Sequence, residues 1–226
     1  MTVPSHDIKR DLSIQLSTAP DVRPAPDANW QARRELASAL RRLNTAVMTA
    51  DVPVEHLQAL NKTISAESKS IESCQRLAGR WDWVARNNAQ PDAQKADLLY
   101  ELSPAIGLGN AQGIPMHIWF DGAVTRAEFT PDWTHEGPIG HLHGGIIAMF
   151  FDQILGVAQR SVSGFGRTAM LTIRYHHPTP LHVPLRLEAK VMRVDGRKKY
   201  LEGALIAGDI RTASCEGLFI GDKESA

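Results

Sequence analysis

The sequence is nearly without cysteine. Cys74 and Cys215 are the only two among 226 residues, far apart and each alone. No disulfide framework and no paired-cysteine metal or redox motif can be drawn from them. Charge of either sign in excess is also missing: 25 Lys+Arg stand against 25 Asp+Glu, a formal net charge of zero. A dedicated nucleic-acid binder carries a basic surplus, so that class is excluded as the main function. Long apolar runs are absent too. The most apolar stretch, residues 146–158, has 13 residues, whereas a membrane span takes about 20. Residues 1–29 interrupt their apolar side chains with Asp7, Lys9, Arg10, Asp11 and Asp21, which leaves no signal-peptide core. The expectation is a soluble cytoplasmic protein with no membrane insertion.

What is present has two textures. Residues 1–28 hold Pro4, Pro20, Pro24 and Pro26, no glycine and no period, and read as a loose arm. Within residues 30–50, Leu36, Leu40, Leu43 and Val47 recur at steps of four, three and four, with Arg33, Arg34, Arg41 and Arg42 off that stripe. This spacing predicts an amphipathic helix whose arginines face solvent. Asp51, followed by Pro53, reads as the N-cap of a second helix carrying Leu57, Leu60, Ile64, Ile71 and Leu77. So short a connection predicts an antiparallel hairpin. Residues 1–95 contain 13 basic and 11 acidic side chains, so the arginine pairs carry no DNA-binding footprint. Packing on the rest of the chain, or on a partner subunit, is the expected role. Residues 79–101 read as a mixed linker with Trp81 and Trp83.

Beyond the linker the chain is rich in strands. Residues 117–121 and 124–130 flank Asp121-Gly122, a hairpin turn. A helical run over 144–162 follows, then strands over 168–175, 185–194, 198–207 and 212–220. Apolar and charged residues alternate in 185–191, as in a strand with one buried face. The helix is apolar nearly all round, which predicts burial on every side, with one antiparallel sheet wrapped around it.

Asp152 is the only ionisable residue within 146–158. An unpaired buried carboxylate costs several kcal/mol, so it needs a reason: a local pair, an opening to solvent, or service as a general base or nucleophile. His143-Gly144-Gly145 opens the same helix. The glycines admit a ligand close to the backbone, and free N–H groups at a helix N-terminus favour an oxyanion. Gly144 and Asp152 are eight residues apart, about 12 Å along a helix. One carbonyl carbon cannot be served by both from the same helix. If both act, the site joins Gly144 of one subunit to Asp152 of another, which predicts at least a homodimer and leaves a tetramer open.

These residues resemble the hotdog-fold acyl-CoA thioesterases, in the phenylacetate-pathway (PaaI-like) branch. The matching pieces are Ser103-Pro-Ala-Ile-Gly, then Glu136-Gly-Pro-Ile-Gly-His-Leu-His-Gly-Gly, then Asp152 nine positions after His143. Thr168-Ala-Met-Leu-Thr-Ile-Arg-Tyr-His-His-Pro and Val194-Asp-Gly-Arg-Lys complete the likeness, which spans about residues 103–221. The resemblance implies an α+β chain: an N-terminal arm and helical hairpin over 1–95, and a hotdog domain over 96–226. It implies that Gly144 or Gly145 polarises a thioester carbonyl and that His143 orients the turn. Asp152 of the partner subunit activates water or attacks directly, and Thr168 helps hold the water. Coenzyme A is part of the substrate, so no cofactor is implied. Related enzymes often place Asn or Gln shortly before His-Gly-Gly. Here His135 and Glu136 are the candidates for that substrate-binding role, and Met149 and Phe150 with the loop over 131–139 are expected to shape the acyl pocket.

Two other readings stay open at this point. One is a hydratase or dehydratase of acyl thioesters using His143 with Asp152. The other is a non-catalytic acyl-CoA-binding regulator. Seven of the nine histidines fall between His117 and His182, but no metal-ligand spacing appears among them, so no metal is expected. The zero net charge hides a local excess. Eight basic residues stand against Glu188 and Asp195 between positions 166 and 200. Arg197, Lys198 and Lys199 are the candidates for the phosphates of coenzyme A.

Overall fold

The computed structural model describes residues 17–23, 25–77, 79, 82–83, 98–162 and 166–221. Its helices are α1 (Ala28–Thr49), α2 (Val54–Glu72), the one-turn α3 (Leu98–Glu101) and α4 (Gly144–Ala158). Its strands are β1 (His117–Asp121), β2 (Val124–Phe129), β3 (Gly166–Tyr175), β4 (Leu185–Asp195), β5 (Lys198–Ala207) and β6 (Ile210–Gly221). The six strands form one antiparallel sheet in the order β1-β2-β4-β5-β6-β3. Asp195 pairs with Lys198 across the β4–β5 turn, and Gly196 there takes φ +55°, a left-handed position that suits glycine.

The core lies between this sheet and α4, which packs on β2 through β6. Phe150, Phe151, Ile154 and Leu155 of α4 meet Leu185, Leu187, Leu201, Leu205 and Phe219. Burying side chains of this kind contributes about 1.5–3 kcal/mol each. Gly217 permits the close approach: a Cβ there would lie 2.7 Å from Leu155 Cδ1. The sheet-around-a-helix architecture implied by the resemblance is therefore present.

Three expectations fail. First, α4 is not buried on every side. Its flank carrying Gly145 and Asp152 is exposed, because β3 is the last strand of the sheet and nothing described lies beyond it. Second, residues 17–23 are not loose, although residues 1–16 of the expected arm lie outside the described residues. Val22 N–H donates to Ile118 O (2.7 Å), and Asp21 accepts from Ile118 N–H (2.9 Å). Arg23 is buried, ion-paired to Asp21, and donates to Ile106 O. This segment covers the free edge of β1.

Third, α1 is turned over. Asp27 caps it, accepting from Trp30 N–H at 2.8 Å. Its inner face carries Trp30, Arg34, Ala37, Arg41 and Thr45, whereas Leu36, Leu40 and Val47 are 54%, 41% and 42% exposed. Arg34 makes a two-pronged ion pair with buried Glu101. Arg41 donates to the carbonyls of Asn110 (2.8 Å) and Leu108 (3.4 Å). Trp30 packs edge-on against Trp83. The helix α2 starts from Pro53 rather than Asp51, without a side-chain cap, and buries no residue against α1.

Candidate active site

The site is built on the turn that enters α4. Asp132 caps a short 3-10 turn, Trp133–His135, in a capping box with His135. The chain then doubles back: Gly137 N–H donates to His141 O (2.9 Å), and His143 N–H donates to His135 O (2.9 Å). Glu136 Oε1 accepts from Gly140 N–H at 2.6 Å and braces this turn. Gly137 lies against His143; a Cβ there would be 2.7 Å from His143 Cα. This is the stretch where relatives of the resembled family often carry Asn or Gln, and here only glycine fits without a shift of the turn.

His143 is the N-cap of α4, and its Nδ1 accepts from Gly145 N–H at 3.0 Å. A neutral imidazole in this arrangement carries its proton on Nε2. The two glycine amides are thereby distinguished. That of Gly145 is held by His143, while that of Gly144 donates to no atom among the described residues. The Gly144 carbonyl accepts from Tyr175 Oη at 2.9 Å, which fixes the first turn to the end of β3.

Two turns further along α4, Asp152 is exposed, and its Oδ1 accepts from Thr168 Oγ1 at 2.6 Å. β3 thus runs alongside α4 and touches it at both ends, through Thr168 and through Tyr175. Burial and the neighbouring Asp152 carboxylate push the Cys215 thiol up to about 11. β3 pairs only with β6 and exposes Met170 and Tyr175. Among the described residues nothing covers its outer edge, in contrast to β1.

The remaining predicted residues separate. Met149 and His135 line a pocket of about 780 Å³ beside the start of α4, whereas Glu136 does not line it. Arg197 and Lys198 are exposed at the β4–β5 turn, and Arg197 donates to Gly221 O. Lys199 does not join them: it points into the sheet's packed side and is 3% exposed. The alternation of the strand decides this, since neighbours in sequence face opposite sides.

The sequence reading missed Asp132, Thr45 and Arg41. Asp132 Oδ2 accepts from Thr45 Oγ1 of α1 at 2.8 Å, and its Oδ1 accepts from Thr134. Burial alone would raise the Asp132 carboxyl. The Thr134 and Thr45 hydrogen bonds and the adjacent His135 outweigh it and hold the group below the ordinary carboxylate value. Asp132 three positions before His135 is a readable capping signal; the link to α1 leaves no mark in sequence spacing. Among the described residues no group of three or more metal-ligating side chains gathers. Among the described residues no helix is long and apolar enough to cross a membrane.

The family model of the thioesterase superfamily matches residues 139–214, which include the His-Gly-Gly turn, α4 and most of the strands after it. An acyl-coenzyme A thioesterase THEM4 from Xenopus laevis is 38% identical over 72 residues, 32% of each chain, so the match spans about a third of that relative. A crystal structure of RHA08564, a thioesterase superfamily protein, is 29% identical and superposes with a TM-score of 0.72 over 90% of this chain and 98% of that one. A match of that extent takes in the helical region before β1, which the resemblance in sequence did not reach. A thioesterase superfamily protein from Shewanella loihica PV-4 is 30% identical over 48% of this chain and 92% of its own, with a TM-score of 0.43. The family model thus spans the turn, the helix and most of the strands that carry the motif residues, and the chain belongs to the hotdog-fold thioesterase superfamily.

Proposed function

We propose that this chain hydrolyses acyl-CoA thioesters, as a dimer in which each site draws on both subunits. The observation that carries the reading is the Gly144 amide at the N-terminus of an apolar helix, which donates to no atom among the described residues. A thioester carbonyl oxygen accepts from that N–H, with the helix dipole behind it. Asp152, held by Thr168, takes a proton from water. The water oxygen attacks the carbonyl carbon, the C–S bond breaks, and the proton goes to the departing thiolate. Asp152 lies about 12 Å from the Gly144 of its own helix, so the acting carboxylate belongs to a second copy. Pairing β3 to β3 across a two-fold axis sets two α4 helices antiparallel and closes the uncovered edge. Arg197 and Lys198 bind the phosphates of coenzyme A.

Release of free thiol from a panel of short, medium, long and aromatic acyl-CoAs tests this reading. The wild-type chain is expected to release thiol from at least one of them, and Asp152→Asn to do so at least about 10²-fold more slowly. Tight acyl-CoA binding without thiol release by the wild type would instead mark a binding protein. Arg197→Ala with Lys198→Ala is expected to raise KM, with the difference shrinking at high salt.

A further inference from the structure

The pocket beside α4 has two unlike walls. One is α4 itself, through Gly145, Ile146 and Met149. The other is α1, through Ser38, Arg41, Arg42, Asn44, Thr45 and Thr49. The α4 wall is apolar, Asp132, Thr134 and His135 of the intervening turn also line the pocket, and the α1 wall is polar.

The charge on that wall is unbalanced. Arg41 is half-buried and gives its guanidinium to the carbonyls of residues 108, 110 and 113. Arg42 stands at the rim and donates to Ser38 Oγ at 2.9 Å. Among the described residues neither guanidinium meets a carboxylate. Burial and the charge of Arg42 hold Arg41 below its ordinary value. The carboxylate that does line the pocket, Asp132, is occupied by Thr45 and Thr134. An anion entering from α4 would therefore meet two neighbouring cations bonded only to neutral groups. A thioester with its carbonyl at Gly144 sends its acyl chain past Ile146 and Met149 toward them.

Building on the reading of this site as an acyl-CoA hydrolase, we propose that α1 is its acyl-recognition wall. Arg42, with Arg41 beneath it, binds a carboxylate at the far end of the acyl group. The substrates are ω-carboxyacyl thioesters.

The test compares hexanoyl-CoA with adipyl-CoA, acyl groups of equal length that differ in the terminal carboxylate. The full chain is expected to favour adipyl-CoA in kcat/KM by about tenfold or more. Arg42→Glu is expected to lower the adipyl-to-hexanoyl ratio at least tenfold, and Arg42→Ala to lower it less. A wild-type preference for hexanoyl-CoA, or a ratio that Arg42→Glu leaves unmoved, overturns the proposal; in the second case the charge acts on the coenzyme phosphates or on the fold. Circular dichroism checks folding, and Arg42→Gln replaces any charge-reversed variant that does not fold. Saturation-transfer NMR with adipate and hexanoate separates this proposal from the hydrolase reading. If no acyl-CoA releases thiol, the hydrolase reading falls, yet adipate binding that disappears in Arg42→Glu still supports the wall. Adipate that binds no better than hexanoate overturns it.

Discussion

The helices α1 and α4 both carry apolar side chains at helical spacing and use them in opposite ways. α4 buries Ile147, Phe150, Phe151, Ile154 and Leu155 against the sheet and leaves its one charge, Asp152, on the open flank. α1 buries Trp30 and Ala37 and turns Arg34 and Arg41 inward, with Leu36 and Leu40 outside. The difference lies in what each helix meets. α4 meets the apolar face of strands β2 to β6. α1 meets the buried carboxylate of Glu101 and the carbonyls of the loop over 108–113, groups that cost free energy unless a donor reaches them. Periodicity shows that a helix has two faces. The surface it docks on decides which face is buried.

The largest effect is expected on α4. Asp152→Asn removes the base and should lower kcat by about 10²-fold to 10⁴-fold in the thiol-release assay. Because the side chain is exposed and Asn can still accept from Thr168, the melting temperature should hardly move. A variant that hydrolyses at the wild-type rate would deny α4 its chemical role. The contrast with α1 would then rest on packing alone.

The next effect sharpens the contrast on α1 itself. Arg34→Ala leaves Glu101 unpaired with its side chain 4% exposed, a change of about 3–5 kcal/mol. Leu40→Ser alters a 41% exposed side chain and should stay within about 0.5 kcal/mol. Urea unfolding of the two variants gives the order directly. The reverse order would mean that the leucine stripe faces the protein in solution, as its spacing alone suggests.

Much of the sheet and of the turn into α4 was legible in sequence. The segment 198–207 is a strand with the expected bounds, and Asp121-Gly122 and Asp195-Gly196 sit at hairpin turns. These features are local: alternation, turn chemistry and a Gly-Gly helix start all act within a few residues. What escaped the sequence was long-range. Arg34 with Glu101 and Thr45 with Asp132 are 67 and 87 positions apart. Lys199 was grouped with Arg197 and Lys198 by adjacency, but strand alternation put it on the packed side. The openness around Asp152 depends on which strand ends the sheet, and no local pattern records strand order.

The smallest effect concerns the seam between the two helices. Thr45 Oγ1 ties α1 to Asp132, whose turn leads into α4. Thr45→Val removes that hydrogen bond and should cost about 1 kcal/mol, since the Asp132 side chain is 40% exposed and water takes over part of the role. The pH dependence identifies the cause. Asp132 is held below its ordinary value of 3.8 in the folded chain. Its contribution to stability is therefore fully present above pH 3.8 and is lost as pH falls through the lower folded-state value. Asp21, where burial works upward and the Arg23 ion pair together with the Ile118 and Arg23 backbone N–H groups outweighs it, contributes with the same sign. In Thr45→Val the Asp132 carboxyl moves back toward 3.8, so the mutant should differ from wild type at neutral pH and converge on it in acid. A difference that persists undiminished at low pH would assign the loss to packing on α1 rather than to the carboxylate at the seam.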